Sequence, residues 1–275
     1  MSDDWSQDFY VDNVLFRQIA PFARLLSYNN DWPDMSDFNQ MLSDVHGQVR
    51  SSNGALLRFV EQGDKTSDPE KSYEARICLK GEIQTRSNNW HDYFQVLIWC
   101  TFSKTKQLIN LLHYEAFTER VNKQLKNRSS IENTLTLFDE CGVVIVSSKP
   151  ELLQLINDYD WTALFISHRE AFNRDIKCFT FGHALYEKYL SPYIGMTAHS
   201  ICLTVDPEFF KLDDEQQLNK IDELAYDFFT KTKTLTPAAT LTPFPVLGIP
   251  GWDSRNNDPE FYQNKNYFRE KRFKT

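Results

Sequence analysis

The sequence predicts an α+β fold in which most of the chain is helical and residues 1–275 form a single domain. Helical and strand-like segments alternate without the regular order of a βαβ protein, which favours the α+β class. The strand-like segments are short and are expected to pair as β-hairpins. A C-terminal tail rich in proline and aromatic residues follows, and we expect it to pack on the body of the domain.

The chain divides into three parts: residues 1–50 with N-terminal helices, residues 72–232 as the core, and residues 234–275 as an irregular C-terminal segment. Within the first part, apolar side chains recur at helical spacing over residues 11–28 and residues 37–45. Pro21 lies inside the first pattern and is expected to divide it. Residues 56–60 have the composition of a short strand.

A long apolar run marks the centre of the chain. Residues 93–102 contain no Pro or Gly and do not alternate, which is typical of a buried helix. Asn89 is the expected cap, because its side chain can accept from backbone N–H groups two or three residues on. We expect a break at residues 103–106 and a second helix over residues 107–113.

Two hairpins are expected around this centre. Residues 72–86 alternate and contain Gly81, which predicts a turn there. Residues 135–140 and 143–146 flank Cys141-Gly142, which predicts a second hairpin with one buried strand. The remaining predicted elements are helices over residues 151–157, 161–173, 179–189 and 213–231 and a strand over residues 200–205.

Composition excludes several classes of protein. The net charge of −8 disfavours a large phosphate-binding surface, so we expect no nucleic-acid partner. No apolar run approaches the ~20 residues that span a bilayer, and the acidic N-terminus lacks the features of a signal peptide, so we expect no membrane association. The five cysteines are scattered and odd in number, which fits a reduced, cytoplasmic protein.

Three groups of polar side chains are candidates for chemistry. The first group lies at the start and end of the predicted central helices. The second lies at the tip of the second predicted hairpin, and the third consists of two residues that are four apart and so share one face of a helix. These residues are His91, Asp92 and His113, then Asp139 and Glu140, then His183 and Glu187.

Histidine and carboxylate side chains suit zinc, iron or manganese, and an open coordination position would activate water. The candidate ligands of such a divalent transition metal are His91, His183, Glu187 and His113. The candidate catalytic carboxylates are Asp92, Asp139 and Glu140, and Arg76 is a candidate anchor for an anionic substrate. The same groups could act without a metal, with histidine as a general base oriented by a carboxylate.

Ordinary structural roles account for the same residues. His91 and Asp92 could cap a helix, and His113 could be a histidine at the edge of the core. Glu187 could be a surface charge, and Asp139 with Glu140 a simple turn. The spacing His-x-x-x-Glu occurs by chance in many helices, and no His-Glu-x-x-His, paired cysteine or Gly-rich phosphate loop accompanies it.

Several short motifs recur in the order known from one family. They lie at residues 73–77, 90–92, 102 with 106, 136–140, 181–188, 247–248 with 250–252, and 261–262 with 268–269. From residue 73 onward the chain resembles the DUF3025 family. The resemblance implies a bacterial, cytoplasmic protein and supplies no activity, cofactor or partner.

The resemblance gives more weight to the candidates that lie inside these motifs, namely His91, Asp92, Asp139, His183 and Glu187. Two positions depart from the family pattern. Gln95 stands where the family tends to have Asn, and Ser103-Lys104 stands where it tends to have Pro-Arg. Gln95 is a candidate substrate-binding residue. Its side chain is longer than that of Asn, so the position of the amide group is not carried over from the family.

These observations predict a pocket between the start of the central helix and the helix that carries His183. The expected function is metal-assisted hydrolysis of a small anionic molecule. The alternative is a non-catalytic adaptor that binds a partner protein through aromatic side chains of the tail, which are Trp252, Phe261, Tyr262 and Phe268.

Overall fold

The computed structural model describes residues 4–28, 30–64, 70, 72–232 and 234–271. Helices predominate and strands are few and short, so the predicted α+β class is confirmed. The helices are α1 Ala20–Leu25, α2 Met35–His46, α3 Tyr73–Lys80, α4 Trp90–Thr101, α5 Ser103–Asn122, α6 Ser130–Cys141, α7 Pro150–Asp158, α8 Arg169–Asp175, α9 His183–Tyr189, α10 Asp214–Lys231 and α11 Pro237–Thr240. The strands are β1 Arg58–Glu61, β2 Glu82–Thr85, β3 Gly142–Ser147, β4 Ile176–Thr180, β5 Thr197–Thr204 and β6 Thr242–Pro245.

The larger sheet has the strand order β4-β3-β5-β6. Strand β3 pairs antiparallel with β4 and parallel with β5, and β6 pairs antiparallel with β5. Every residue of β3 is buried. The uniform apolar run Val143 to Val146 therefore occupies a central strand covered on both faces, as expected for a run without alternation.

The hairpin predicted for residues 72–86 is wrong. Tyr73–Lys80 is helix α3, and it connects β1 to β2, which pair in parallel. The Ser72 side chain accepts from the N–H of Ala75 at the start of the helix, and Gly81 ends it with φ 70°. Gly81 therefore terminates a helix instead of turning a hairpin, a role that glycine takes because φ > 0 costs it little.

The second predicted hairpin is also wrong. Residues 130–141 form α6, which passes directly into β3 at Gly142. A capping box starts the helix, because the side chains of Ser129 and Glu132 each accept from the other residue's backbone N–H. Leu135 and Phe138 are three residues apart and fully buried. Their spacing suits the inner face of a helix.

Other segments differ from the prediction in their boundaries. Residues 179–189 were expected to form one helix, but they contain the end of β4 and, after Gly182, helix α9. The expected break at residues 103–106 is confined to Phe102, because α5 already begins at Ser103. Residues 161–173 form a wide π-helical turn, Ala163–Ser167, followed by α8.

The C-terminal tail packs on the body, as predicted. Tyr262 and Phe268 are buried, and Trp252 and Phe261 are partly buried against the core. The Trp161 indole N–H donates to the carbonyl of Arg269 over 2.8 Å. Strand β6 adds an edge to the main sheet. Across the described ranges, no helix is long and apolar enough to cross a membrane.

Candidate functional site

The first turns of α4 and α9 bring two histidines together. The Asn89 side chain accepts from the N–H of Asp92 over 3.1 Å and so starts α4, which places His91 in its first turn. His183 is the first residue of α9. The two imidazole rings are nearly perpendicular, and their Nε2 atoms are 3.0 Å apart. That distance suits either one hydrogen or one cation shared between the nitrogens.

Gly182 allows α9 to start this close to the end of α6. A Cβ atom there would lie 2.4 Å from the carbonyl oxygen of Glu140 and 2.5 Å from N and Cα of Cys141. Its φ of −71° is ordinary, so glycine is needed here for space alone. The close approach sets the His183 side chain beside the last turn of α6.

Glu140 supplies a third group at the same point. Its Oε2 lies 3.9 Å from Nε2 of His91 and 3.6 Å from Nε2 of His183. With the 3.0 Å between the nitrogens, these distances define a triangle whose three corners are all about 2 Å from one interior point, which matches metal–nitrogen and metal–oxygen bonds of about 2.0–2.2 Å. Among the described residues, this is the histidine and carboxylate group whose spacing could hold a metal ion.

Surrounding carboxylates orient the two imidazoles. Oε2 of Glu187 accepts from Nδ1 of His91 over 2.9 Å, so the hydrogen of a neutral His91 lies on Nδ1 and its Nε2 lone pair faces the triangle. Nδ1 of His183 makes no hydrogen bond within the described ranges and lies 3.9 Å from Oδ2 of Asp139. Burial lowers the pKa of His183 to about 3, so its imidazole is neutral near pH 7.

A buried lysine holds Asp139 in place. Nζ of Lys106 donates to Oδ1 of Asp139 over 2.6 Å, and the lysine side chain is 3% exposed. Burial opposes ionisation of Asp139, but the charge and hydrogen bond of Lys106, together with the neighbouring His183 and His113, keep the pKa of Asp139 below its ordinary value. The pKa of Glu140 is raised, chiefly by burial.

The triangle forms part of the wall of a cavity of about 500 Å³. The cavity lies among α3, α4, α5 and α6, and its size suits a small molecule. Three of its lining side chains are cationic, which are Arg86, Lys106 and Arg128.

Most of the residues singled out in the sequence line this cavity. They are His91, Asp92, Gln95, His113, Asp139, Glu140 and His183. Arg76 and Glu187 do not line it. Arg76 donates to Glu82 over 2.7 Å, so its charge is already paired. Glu187 contacts His91 from outside the triangle, on the nitrogen opposite the one that faces Glu140.

Three of the lining residues are already bonded to neighbours. Asp92 accepts from the Arg86 guanidinium over 2.8 and 3.0 Å. Gln95 donates to the hydroxyl of Tyr73. Nε2 of His113 lies 2.9 Å from Nη2 of Arg128, so a neutral His113 uses that lone pair as an acceptor. His113 therefore does not join the other two histidines.

Arg128 and Trp99 were missed in the sequence. Arg128 lies in the loop between α5 and α6, where no periodic pattern applies. The only local signal is the Ser129-x-x-Glu132 capping box, which locates the start of α6 and hence the residue before it. Trp99 is in the apolar run of α4, where an indole looks like any other core side chain.

A family model matches most of the chain. The family model described as "Protein of unknown function (DUF3025)" matches residues 57–272, a range that includes every residue of the cavity wall. No curated protein and no solved structure matches the chain. Because the family model covers most of the chain, the protein belongs to the DUF3025 family.

Proposed function

We propose that this protein is a metal-dependent hydrolase that acts on a small anionic molecule, with His91, His183 and Glu140 as the ligands of one divalent transition metal such as zinc. The triangle of ligand atoms carries the proposal. A hydrogen shared by the two imidazoles would explain the 3.0 Å contact between their nitrogens, but it would not require a carboxylate oxygen within 3.6 and 3.9 Å of the same atoms. A shared cation accounts for all three distances.

The protonation state of His183 and the orientation of His91 support metal binding. A histidine must be neutral to bind a metal, and the depressed pKa of His183 meets this requirement. The Glu187–His91 hydrogen bond directs the remaining His91 lone pair inward, as carboxylates beside metal-binding histidines commonly do. Glu187, first considered as a ligand, has in this proposal the role of orienting one.

The ligand set also supports hydrolysis. Two histidines and one glutamate leave a coordination position open, and zinc in such a site lowers the pKa of bound water to about 7. Asp139 lies beside His183 and is ionised at neutral pH, so it provides negative charge behind the ligand. Asp92 is paired with Arg86, and Asp139 is paired with Lys106. In this proposal these two carboxylates therefore act as positioning residues.

Metal binding can be measured directly. Purified protein, freed of metal with a chelator, is titrated with Zn²⁺ and Co²⁺ while metal content and melting temperature are followed. We expect one ion per chain and a rise in melting temperature, because a ligand that binds only the folded state stabilises it. The variants His183→Gln and Glu140→Gln should lose both effects. His168→Gln, at an exposed position outside the cavity, is the matched control.

Failure of the wild-type protein to bind either ion would remove the metal from the proposal. Equal binding by His183→Gln and the wild type would place the metal elsewhere. If binding holds, the loaded protein is assayed against panels of esters, amides and phosphoesters that carry a second anionic group.

A bacterial, cytoplasmic setting, expected from the family resemblance, is part of the proposal. All five cysteines are unpaired, which supports a reducing compartment. The adaptor alternative finds no comparable support, because the tail aromatics Tyr262 and Phe268 are buried in the core.

A further inference from the structure

Among the described residues, Arg128 is the cation of the cavity wall that forms no ion pair with a carboxylate. Its Nη2 donates to Oγ1 of Thr136 over 2.7 Å and lies 2.9 Å from Nε2 of His113. Neither of these two groups is a carboxylate, although Oε1 of Glu74 lies 3.3 Å from Nδ1 of His113, on the far side of the ring. The other two cations of the cavity wall, Arg86 and Lys106, each pair with an aspartate, whereas Arg128 pairs with no carboxylate in the part of the chain that the structure describes.

Helix α6 connects Arg128 to the triangle, because it carries both Thr136, which binds the guanidinium, and Glu140. Thr136, which fixes the guanidinium, and Glu140 are four residues apart on α6. Residues so spaced lie about 6 Å apart along a helix, since the rise is about 1.5 Å per residue. A molecule with one group at the triangle and another at Arg128 must therefore span roughly one helical turn, which the cavity of about 500 Å³ can hold.

Trp99 presents a second donor in the same region. Its side chain is 1% exposed and lines the cavity. Its indole N–H makes no hydrogen bond of normal geometry among the described residues, and the nearby Tyr73 hydroxyl already accepts from the Gln95 amide. Nζ of Lys106 lies 5.2 Å from the indole ring and 2.6 Å from Asp139, so the ring is close to the α6 wall. A buried donor without an acceptor is costly, and an oxygen atom of a ligand would satisfy it.

We propose that Arg128 binds an oxyanion of the substrate, with the Trp99 indole N–H donating to an oxygen of the same molecule. The inference rests on the proposed function for the role of the triangle. It specifies the substrate as a small molecule that carries a carboxylate or phosphate separated from the bond that is hydrolysed, at a distance on the order of one helical turn. A guanidinium suits either oxyanion, since its planar donors match both.

The test measures anion binding apart from metal binding. Metal-free protein is titrated with inorganic phosphate and, separately, with succinate, while melting temperature and heat of binding are followed. We expect at least one of the two to bind the wild type, with a rise in melting temperature of roughly 2–4 °C at about ten times its dissociation constant. Phosphate alone would indicate a phosphorylated substrate, and succinate alone a carboxylate.

Variants assign the binding to Arg128. Arg128→Gln should bind the same anion at least tenfold more weakly, and Arg128→Lys should recover part of the affinity, because a point charge remains without the planar donors. Arg24→Gln, at an exposed position on α1, is the control for loss of one positive charge. Absence of binding by the wild type, or equal binding by Arg128→Gln, would overturn the proposal.

Two readouts separate this inference from the metal hypothesis. Zn²⁺ affinity of Arg128→Gln should equal that of the wild type, so a failed metal titration leaves the anion result intact and the reverse also holds. The six tryptophans give indole resonances in ¹⁵N-labelled protein, and Trp99→Phe identifies the one from Trp99. The anion should shift that resonance in the wild type, and an unmoved Trp99 resonance would contradict its role as a donor.

Discussion

Replacing Gly182 by alanine should separate α9 from α6 and damage the candidate metal site. The added methyl group would lie 2.4 Å from a backbone oxygen of Glu140 and 2.5 Å from backbone atoms of Cys141, none of which can rotate away. Ordinary contact begins near 3.5 Å, so the two helices must move apart by about 1 Å. Such overpacking typically costs about 1–3 kcal/mol of folding free energy.

The same displacement affects ligand geometry. Nε2 of His183 and Oε2 of Glu140 are 3.6 Å apart, and about 1 Å more exceeds the separation of about 4.2 Å that one ion can bridge with bonds of about 2.1 Å. We therefore expect Zn²⁺ affinity to fall by roughly 10–100-fold, the loss that displaced supporting groups commonly cause.

Urea denaturation of the metal-free protein measures the first effect, and competition with a chelating dye measures the second. Gly63→Ala is the matched control, because a Cβ there would meet only a side-chain nitrogen of Arg76 at 3.8 Å. Equal unfolding free energies for the two variants would refute the packing argument. A less stable Gly182→Ala that binds Zn²⁺ normally would refute the link to the site.

Three further predictions concern other parts of the structure. Metal-free protein should lose stability as the pH falls from about 6.5 toward 3, because His183 gains a proton in the unfolded chain but not in the folded protein, where its pKa is about 3. The loss due to His183 is at most about 1.4 kcal/mol per pH unit. Urea midpoints between about pH 7.5 and 5 should therefore vary less for His183→Gln than for the wild type, and identical profiles would contradict the prediction. The Asp222 carboxylate accepts from the N–H groups of Lys104 and Thr105 and so caps α5. Asp222→Ala should therefore destabilise the protein by about 1–2 kcal/mol in thermal melts, and Asp222→Asn by less. Unchanged melting of Asp222→Ala would exclude the capping role. Phe268→Ala should cost about 3–5 kcal/mol in urea unfolding, because the ring is 1% exposed, and a loss below about 1 kcal/mol would mean that the tail adds little to the core.

Local signals were sufficient to predict the central helix. The Asn89 cap and the apolar run after it depend on neighbouring residues only, and α4 begins at Trp90 and ends at Thr101 as they indicate. Helix α10 was predicted equally well, because its amphipathic pattern extends over many turns. Long, consistent patterns of this kind leave few alternatives.

Short segments next to glycine were misassigned. Gly81 and Gly142 were interpreted as hairpin turns, but one ends a helix and the other begins a strand. Alternation over five or six residues fits a strand and one face of a helix almost equally well, so tertiary contacts decide. The capping box at Ser129 and Glu132 was a local sign of α6 that the hairpin interpretation ignored.

The composition of the site depended on contacts between distant residues. His91 and His183 are separated by 92 positions, and no spacing rule connects them. Glu187 was expected to bind a metal because it shares a helix face with His183. Its carboxylate instead contacts Nδ1 of His91, whereas Oε2 of Glu140, on α6, forms the third corner of the triangle. Arg76 was a candidate anchor for an anionic substrate, but it pairs with Glu82, which comes close only after α3 has formed.

The contribution of the C-terminal tail to the core has a consequence for biosynthesis. Strand β6 completes the main sheet, and the ring of Phe268 packs against the ring of Phe165, which lies about a hundred residues earlier in the chain. A nascent chain from which β6 has emerged but Phe268 has not would leave the aromatic cluster around Phe165 open to water. We therefore expect this aromatic cluster to form only after Phe268 has been synthesised and has left the ribosome, and chaperones that recognise exposed aromatic surface to associate with chains stalled before this point.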